Sequence, residues 1–244
     1  MIEIKLFKEC NLKGYSLIDA FPGVGLVGPM AGSYIIEKLG MTYIGYIDSD
    51  SFPPIAAIHG GTPIFPARIY KDDKYKLVVV MSEFIIPSTS IYQLSRELLE
   101  FVRKYGISKV MSISGMPSNK PGDTTFVTSP NPATIKKASK AGLKTISEGV
   151  VAGVGAVLMI NSMQYNVESM NILVEVNPQI MDPKYAENAL IGLNKIIDIN
   201  IDLKDLDEEA KRVEAKIRDT LKKMKESPEH YENAAEATGP SMYA

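Results

Sequence analysis

The chain has 244 residues, enough for one large domain or two small ones. Its 45% hydrophobic and 23% charged residues are ordinary for a soluble globular protein, and a net charge of −2 leaves no basic field of the kind that nucleic-acid binding needs. The single cysteine, Cys10, excludes an intrachain disulfide and points to a reducing, cytoplasmic setting. Met1-Ile2-Glu3-Ile4-Lys5 lacks the apolar stretch of a signal peptide. The longest apolar run, Gly149 to Ile160, is too short and too glycine-rich to span a bilayer, so it reads as a buried element and no membrane partner is expected.

In chain order, Tyr15 to Phe21 predicts a buried strand and Pro22 to Gly28 a glycine-rich turn. A helix follows, with Pro29 in its first turn and Gly40 as its stop. Thr42 to Ile47 is the next strand. Ile55 to Ile58 and Ile64 to Tyr70 are short strands separated by His59-Gly60-Gly61, and Tyr75 to Met81 pairs with the latter as an antiparallel hairpin. Ser88 to Tyr105 carries Ile91, Leu94, Leu98, Phe101 and Val102 at helical spacing, with Ser88 or Ser90 to cap its start. Lys109 to Ser114 is a strand, and Gly115 to Asp123 a loop dense in breakers. Thr124 to Thr128 predicts a strand, Pro132 to Lys140 a short helix, Val150 to Met163 an apolar helix, Asn171 to Val176 a strand and Pro183 to Ile197 an amphipathic helix. Strands alternating with helices, interrupted by one hairpin, predict a three-layer α/β/α sandwich with a mixed sheet over residues 1–200.

Residues 201–226 are different. Leu203, Leu206, Ala210, Val213, Ile217, Leu221 and Met224 recur every three or four positions among charged neighbours, with acids early and lysines late as a helix dipole prefers. This long amphipathic helix fits packing on its own domain and pairing with another helix equally well. Ser227-Pro228 ends it, and residues 227–244 read as a mobile tail able to reach on the order of 50 Å. The tail ends in Met242-Tyr243-Ala244 after a Gly-Pro-Ser breaker. An apolar residue, a tyrosine and a free carboxylate make a compact peptide ligand.

Gly23-Val24-Gly25-Leu26-Val27-Gly28 is a formal G-x-G-x-x-G between a strand and a helix, with Asp48 about 20 residues on, as in dinucleotide-binding folds. An enzyme handling nucleotides or nucleosides through Gly23, Gly25, Gly28 and Asp48 is therefore an alternative. Against it, Pro22 stiffens the entry and Pro29 removes a donor. The other reading of the glycines is tight strand-to-helix packing. His59 and His230 are too far apart in kind and place for a metal site, and Cys10 has no evident catalytic partner. Ser82-Glu83 and Ser112 to Gly115 are polar groups at strand ends, and Asp48 with Asp50 fits a solvated loop. No P-loop is present.

Ala20 to Gly28, Phe52-Pro53-Pro54, Pro63 to Tyr70 and Ile113 to Pro117 together resemble the proteasome assembly chaperone family, over roughly residues 14–198 and most closely its archaeal homologues. The resemblance implies a body fold similar to nucleoside phosphorylases without their activity, no cofactor and no catalytic residues. Members carry a C-terminal hydrophobic–Tyr–any-residue motif, which Met242, Tyr243 and Ala244 match. In the family such tails enter pockets between neighbouring α-subunits of the 20S proteasome, where the carboxylate meets a lysine. The expectation is an ATP-independent assembly chaperone or activator, working as a homo-oligomer, with a tetramer favoured.

Overall fold

The computed structural model describes residues 1–197, 199, 201–206, 208, 211–215, 218 and 219. The strands are β1 (Ile2–Leu6), β2 (Ser16–Asp19), β3 (Thr42–Ser49), β4 (Ala57–His59), β5 (Thr62–Ile64), β6 (Ala67–Asp72), β7 (Leu77–Ser82), β8 (Lys109–Pro117), β9 (Thr125–Thr128), β10 (Lys144–Thr145) and β11 (Glu168–Val176). The helices are α1 (Val27–Leu39), α2 (Ser88–Lys104), α3 (Pro132–Lys140), α4 (Val154–Tyr165) and α5 (Pro183–Ile197). Nine strands form one mixed sheet in the order β1-β3-β6-β7-β2-β8-β11-β9-β10, while β4 and β5 make a separate hairpin. The centre, β7-β2-β8-β11, is parallel, and β6–β7 is the expected antiparallel hairpin.

Alternation along the central strands feeds two cores. Ile18, Val79, Met111 and Ile172 face a layer containing α1 and α5, while Leu17, Val78, Val80 and Val110 face α2 and α4. Each is nearly or fully buried, so the central strands read as continuous apolar runs, as a sheet covered on both faces requires. The three-layer α/β/α arrangement is the one the pattern predicts. Among the described residues no helix is long and apolar enough to cross a membrane.

Local chemistry sets several boundaries. Gly40 closes α1 in the left-handed conformation (φ 57°), and the N–H of Met41 donates back to the Ile36 carbonyl. Pro132 and Pro183 open α3 and α5 at the first helical position, and both helices run over the predicted spans. Gly60 and Gly61, at φ 55° and 80°, form the two-residue turn of the β4–β5 hairpin.

Other boundaries differ from the expectation. The cap position of α2 is Pro87, so neither Ser88 nor Ser90 caps the helix through its hydroxyl. β8 continues through Gly115-Met116-Pro117, because parallel pairing with Val174 to Val176 gives those breakers ladder partners. The strand expected over Ile64 to Tyr70 is split between β5 and β6. The apolar run after Gly149 does not enter a helix until Val154; Gly149 and Gly153 adopt φ 156° and 89°, and Val150 is 93% exposed rather than buried. β1 and β10 were absent from the sequence reading. They are short runs at the two edges of the sheet; β10 has two residues, whereas β1 does alternate, Ile2 and Ile4 against Glu3 and Lys5.

The described part of the C-terminal segment lies on α1. Leu206 and Val213 are buried in the same core as α1 and α5, with Leu203 packed against it. The Tyr34 hydroxyl donates to the Asp202 carbonyl (2.5 Å), Lys38 pairs with Asp205, and Arg212 donates to Glu37. Leu203, Leu206 and Val213 of the amphipathic stripe thus pack on their own domain. Ala210, Ile217, Leu221 and Met224 lie outside the described residues.

Backbone approaches backbone closely at Gly28, where an added Cβ would stand 2.6 Å from the Phe21 carbonyl and 3.1 Å from that of Ile113. Gly28→Ala is expected to destabilise the chain by about 1–3 kcal/mol, despite alanine's better helix propensity. A lowered urea midpoint with an unchanged slope would register it.

Candidate functional site

The glycine segment leaves β2 at the sheet centre and folds back over the carboxyl ends of β8 and β11. Gly25 takes φ 68° and Leu26 φ 51°, turning the chain from a short 3-10 turn at Val24–Leu26 into α1. A Cβ on Gly115 would meet the Val24 carbonyl at 2.2 Å, and one on Gly25 would press on Val176 at 3.0 Å. Gly28 and Gly115 thus bring backbone against backbone and Gly25 packs on the Val176 side chain, which is the packing reading of the motif, while Gly23 has open space around it. Asp48, the acid of the alternative reading, is exposed on β3 and accepts from the Ser49 N–H. β6 and β7 stand between β3 and β2. Gly23, Gly25 and Gly28 are therefore not joined by Asp48, and the dinucleotide arrangement is not formed.

Beside the glycine segment lies a cavity of about 240 Å³, lined by the ends of β2 and β8, by Leu173 of β11 and by residues 150–155 leading into α4. Asp19, the last residue of β2, lines it and is only 3% exposed. Its Oδ1 accepts from the Phe21 N–H at 3.1 Å, closing a turn that starts the glycine segment. Burial pushes the Asp19 carboxyl up to about 6, while the Phe21 N–H and the Ser112 hydroxyl act against that rise.

Asp19, Ser112 and Asn171 stand side by side on β2, β8 and β11 in register, on the face that α4 covers. Gly155, in the first turn of α4, lets the helix close on that row: a Cβ there would lie 2.7 Å from Ser112 Cβ and 3.0 Å from Asn171 Oδ1. Asn171 is fully buried, and neither its Oδ1 nor its Nδ2 has a hydrogen-bond partner among the described residues. Carboxyl strand ends at the centre of an α/β sheet are where such folds place ligands.

The pattern that describes the PAC2 family matches residues 17–221, which takes in the glycine segment, the cavity and most of both core layers. The chain belongs to the PAC2 family. An uncharacterized protein of Methanocaldococcus jannaschii is 28% identical over 219 residues, 88% of this chain and 90% of that protein. Among solved structures, PbaA of Pyrococcus furiosus, an archaeal homolog of proteasome-assembly chaperone, superposes with a TM-score of 0.81 at 25% identity, over 92% of this chain and 99% of PbaA. PbaB of the same organism, an archaeal proteasome activator, shares the fold with a TM-score of 0.74 at 21% identity, over 90% of this chain and 98% of PbaB.

In this PAC2 chain the other singled-out residues fall elsewhere. Met242, Tyr243, Ala244 and His230 lie outside the described residues. Cys10 is partly buried, and burial pushes its thiol above the ordinary value, opposite to what a nucleophile needs. His59, at the end of β4, reaches Glu83 Oε1 (2.5 Å), which also accepts from the 2% exposed Arg68 (2.6 Å). Burial raises the Glu83 carboxyl, but Arg68 and His59 outweigh it and hold the group below its ordinary value. Arg68 also donates to the Phe65 carbonyl (3.0 Å). The cluster fastens the β4–β5 hairpin to the end of β7; it was not evident from the sequence, which treated His59 and Glu83 as separate polar groups.

Glu83→Ala would leave the buried Arg68 guanidinium without its carboxylate. We expect a loss of about 3 kcal/mol or more in urea unfolding. Asp19→Asn should act in the other direction. The raised carboxyl contributes stability that is full below the unfolded value of about 4 and is lost as pH rises through about 6. The Asn variant is therefore expected to be more stable than the parent at pH 7.5, by on the order of 2–3 kcal/mol. Unfolding curves at pH 4 and 7.5 should show that difference only at the higher pH.

Proposed function

We propose that this chain is a non-enzymatic proteasome-binding protein, an assembly chaperone or ATP-independent activator. The observation that carries the reading is the superposition on PbaA, 25% identical over 99% of that protein with a TM-score of 0.81. Membership of the PAC2 family supports it, and the fold shared with PbaB is consistent with it.

In this reading the working contact is the chain end. Met242, Tyr243 and the Ala244 carboxylate dock into pockets between neighbouring α-subunits of the 20S ring. The methionine and the ring supply apolar area, the hydroxyl a hydrogen bond, and the carboxylate a charge for a pocket lysine. One such peptide buries little surface and binds weakly, because ordering a tether consumes much of the gain. A homo-oligomer, tetrameric in our reading, presents several tails to one ring and turns weak contacts into avidity. The α/β body positions the tails. With no P-loop in the sequence, gate opening follows from binding alone: tails that prefer the open ring shift its population.

The test is a pull-down of 20S particles from the cytoplasm with the full chain and with a form ending at Ser241. Binding and faster peptide cleavage are expected for the full chain only. The truncated form should keep its melting temperature and lose at least tenfold in affinity. Equal binding by both forms would overturn the tail assignment, and no binding by either would overturn the proteasome reading.

A further inference from the structure

Asp19 serves a purpose that closing a turn does not require. The Phe21 N–H could be accepted equally by an asparagine or serine, and either would avoid placing a carboxylate where water is excluded. Among the described residues Asp19 is the only ionisable side chain lining the cavity, and no cation pairs with it. The groups that face it are the Phe21 N–H and the Ser112 hydroxyl; α4 and the segment before it bring no charged group to the cavity. The rest of the lining combines the aliphatic side chains of Val24, Met116, Val151 and Leu173 with polar area that includes Ser114.

We propose that this cavity binds a small aliphatic primary ammonium, whose charge pairs with the Asp19 carboxylate and whose hydrocarbon body lies against Val24, Met116, Val151 and Leu173. The charge of the floor selects against anions. The volume, about 240 Å³, lies below the roughly 300–1,000 Å³ of sites for drug-sized ligands, so nucleotides are too large. One carboxylate is too sparse a donor set for calcium or magnesium, which take six or more oxygen ligands. An ammonium needs only one charged acceptor, with its remaining N–H groups free for neutral oxygens such as strand-end carbonyls. The aliphatic walls favour an alkyl body over a second charge.

The test is a titration of the full chain with n-butylammonium chloride at pH 7.5, followed by calorimetry and by chemical shifts, without any proteasome present. Saturable binding is expected for n-butylammonium and not for n-butanol, which has the same shape without the charge. Asp19→Asn keeps the acceptor for the Phe21 N–H and should weaken binding at least tenfold while melting cooperatively. Val151→Trp, on the rim outside any helix or strand, should weaken it as much by filling the entrance. Lowering the pH to 5 should reduce the affinity about tenfold as Asp19 takes up its proton. No saturable binding of n-butylammonium, equal binding of n-butanol, or unchanged binding by Asp19→Asn would each overturn the proposal.

Discussion

The structure depends on how closely the chain after β2 approaches the ends of its neighbours. Gly28 lies against the carbonyls of Phe21 and Ile113, and Gly115 lies against that of Val24. Gly32, one turn further along α1, makes room for the Ala20 methyl, which an added Cβ would meet at 2.5 Å. With no side chains between them, α1 seats directly on the central strands, and the two core layers stay contiguous with the loop above. The left-handed Gly25 and Leu26 are the local cost of that path. Burial of Leu26 and Val27 in the core offsets it.

That approach also explains what could and could not be read in the sequence. Helices α3 and α5 were legible to the residue, because a proline at the first position and a periodic stripe agree. The glycine motif was visible, but its spacing alone does not separate phosphate binding from close packing. Strand order decides the matter, by placing β7 and β6 between β2 and Asp48. The cavity was not legible at all. Asp19, Ser112 and Asn171 come from three strands and are neighbours only through sheet register. Likewise, His59, Arg68 and Glu83 meet because a hairpin folds over a strand end, which no linear spacing encodes.

The body and the chain end divide the chemistry between them. In the proposed reading, partner recognition belongs to Met242 to Ala244, whereas the body carries the two core layers and the cavity that Asp19 lines. The two are separable in principle, since the cavity is built from β2, β8, β11 and α4 and the described C-terminal residues pack on the opposite layer with α1 and α5. A ligand that compensates Asp19 would stabilise the sheet centre without touching the layer that holds Leu206 and Val213.

The two margins of the sheet bear on how copies of the chain could meet. One margin is β10, with two residues; the other is β1, where the exposed Glu3 and Lys5 alternate with Ile2, Ile4 and Leu6. A stub and a charged ribbon offer little template for main-chain pairing, and lysine on an edge actively discourages it. Among the described residues, helix and loop side chains are therefore better suited to contact between copies than the two margins of the main sheet.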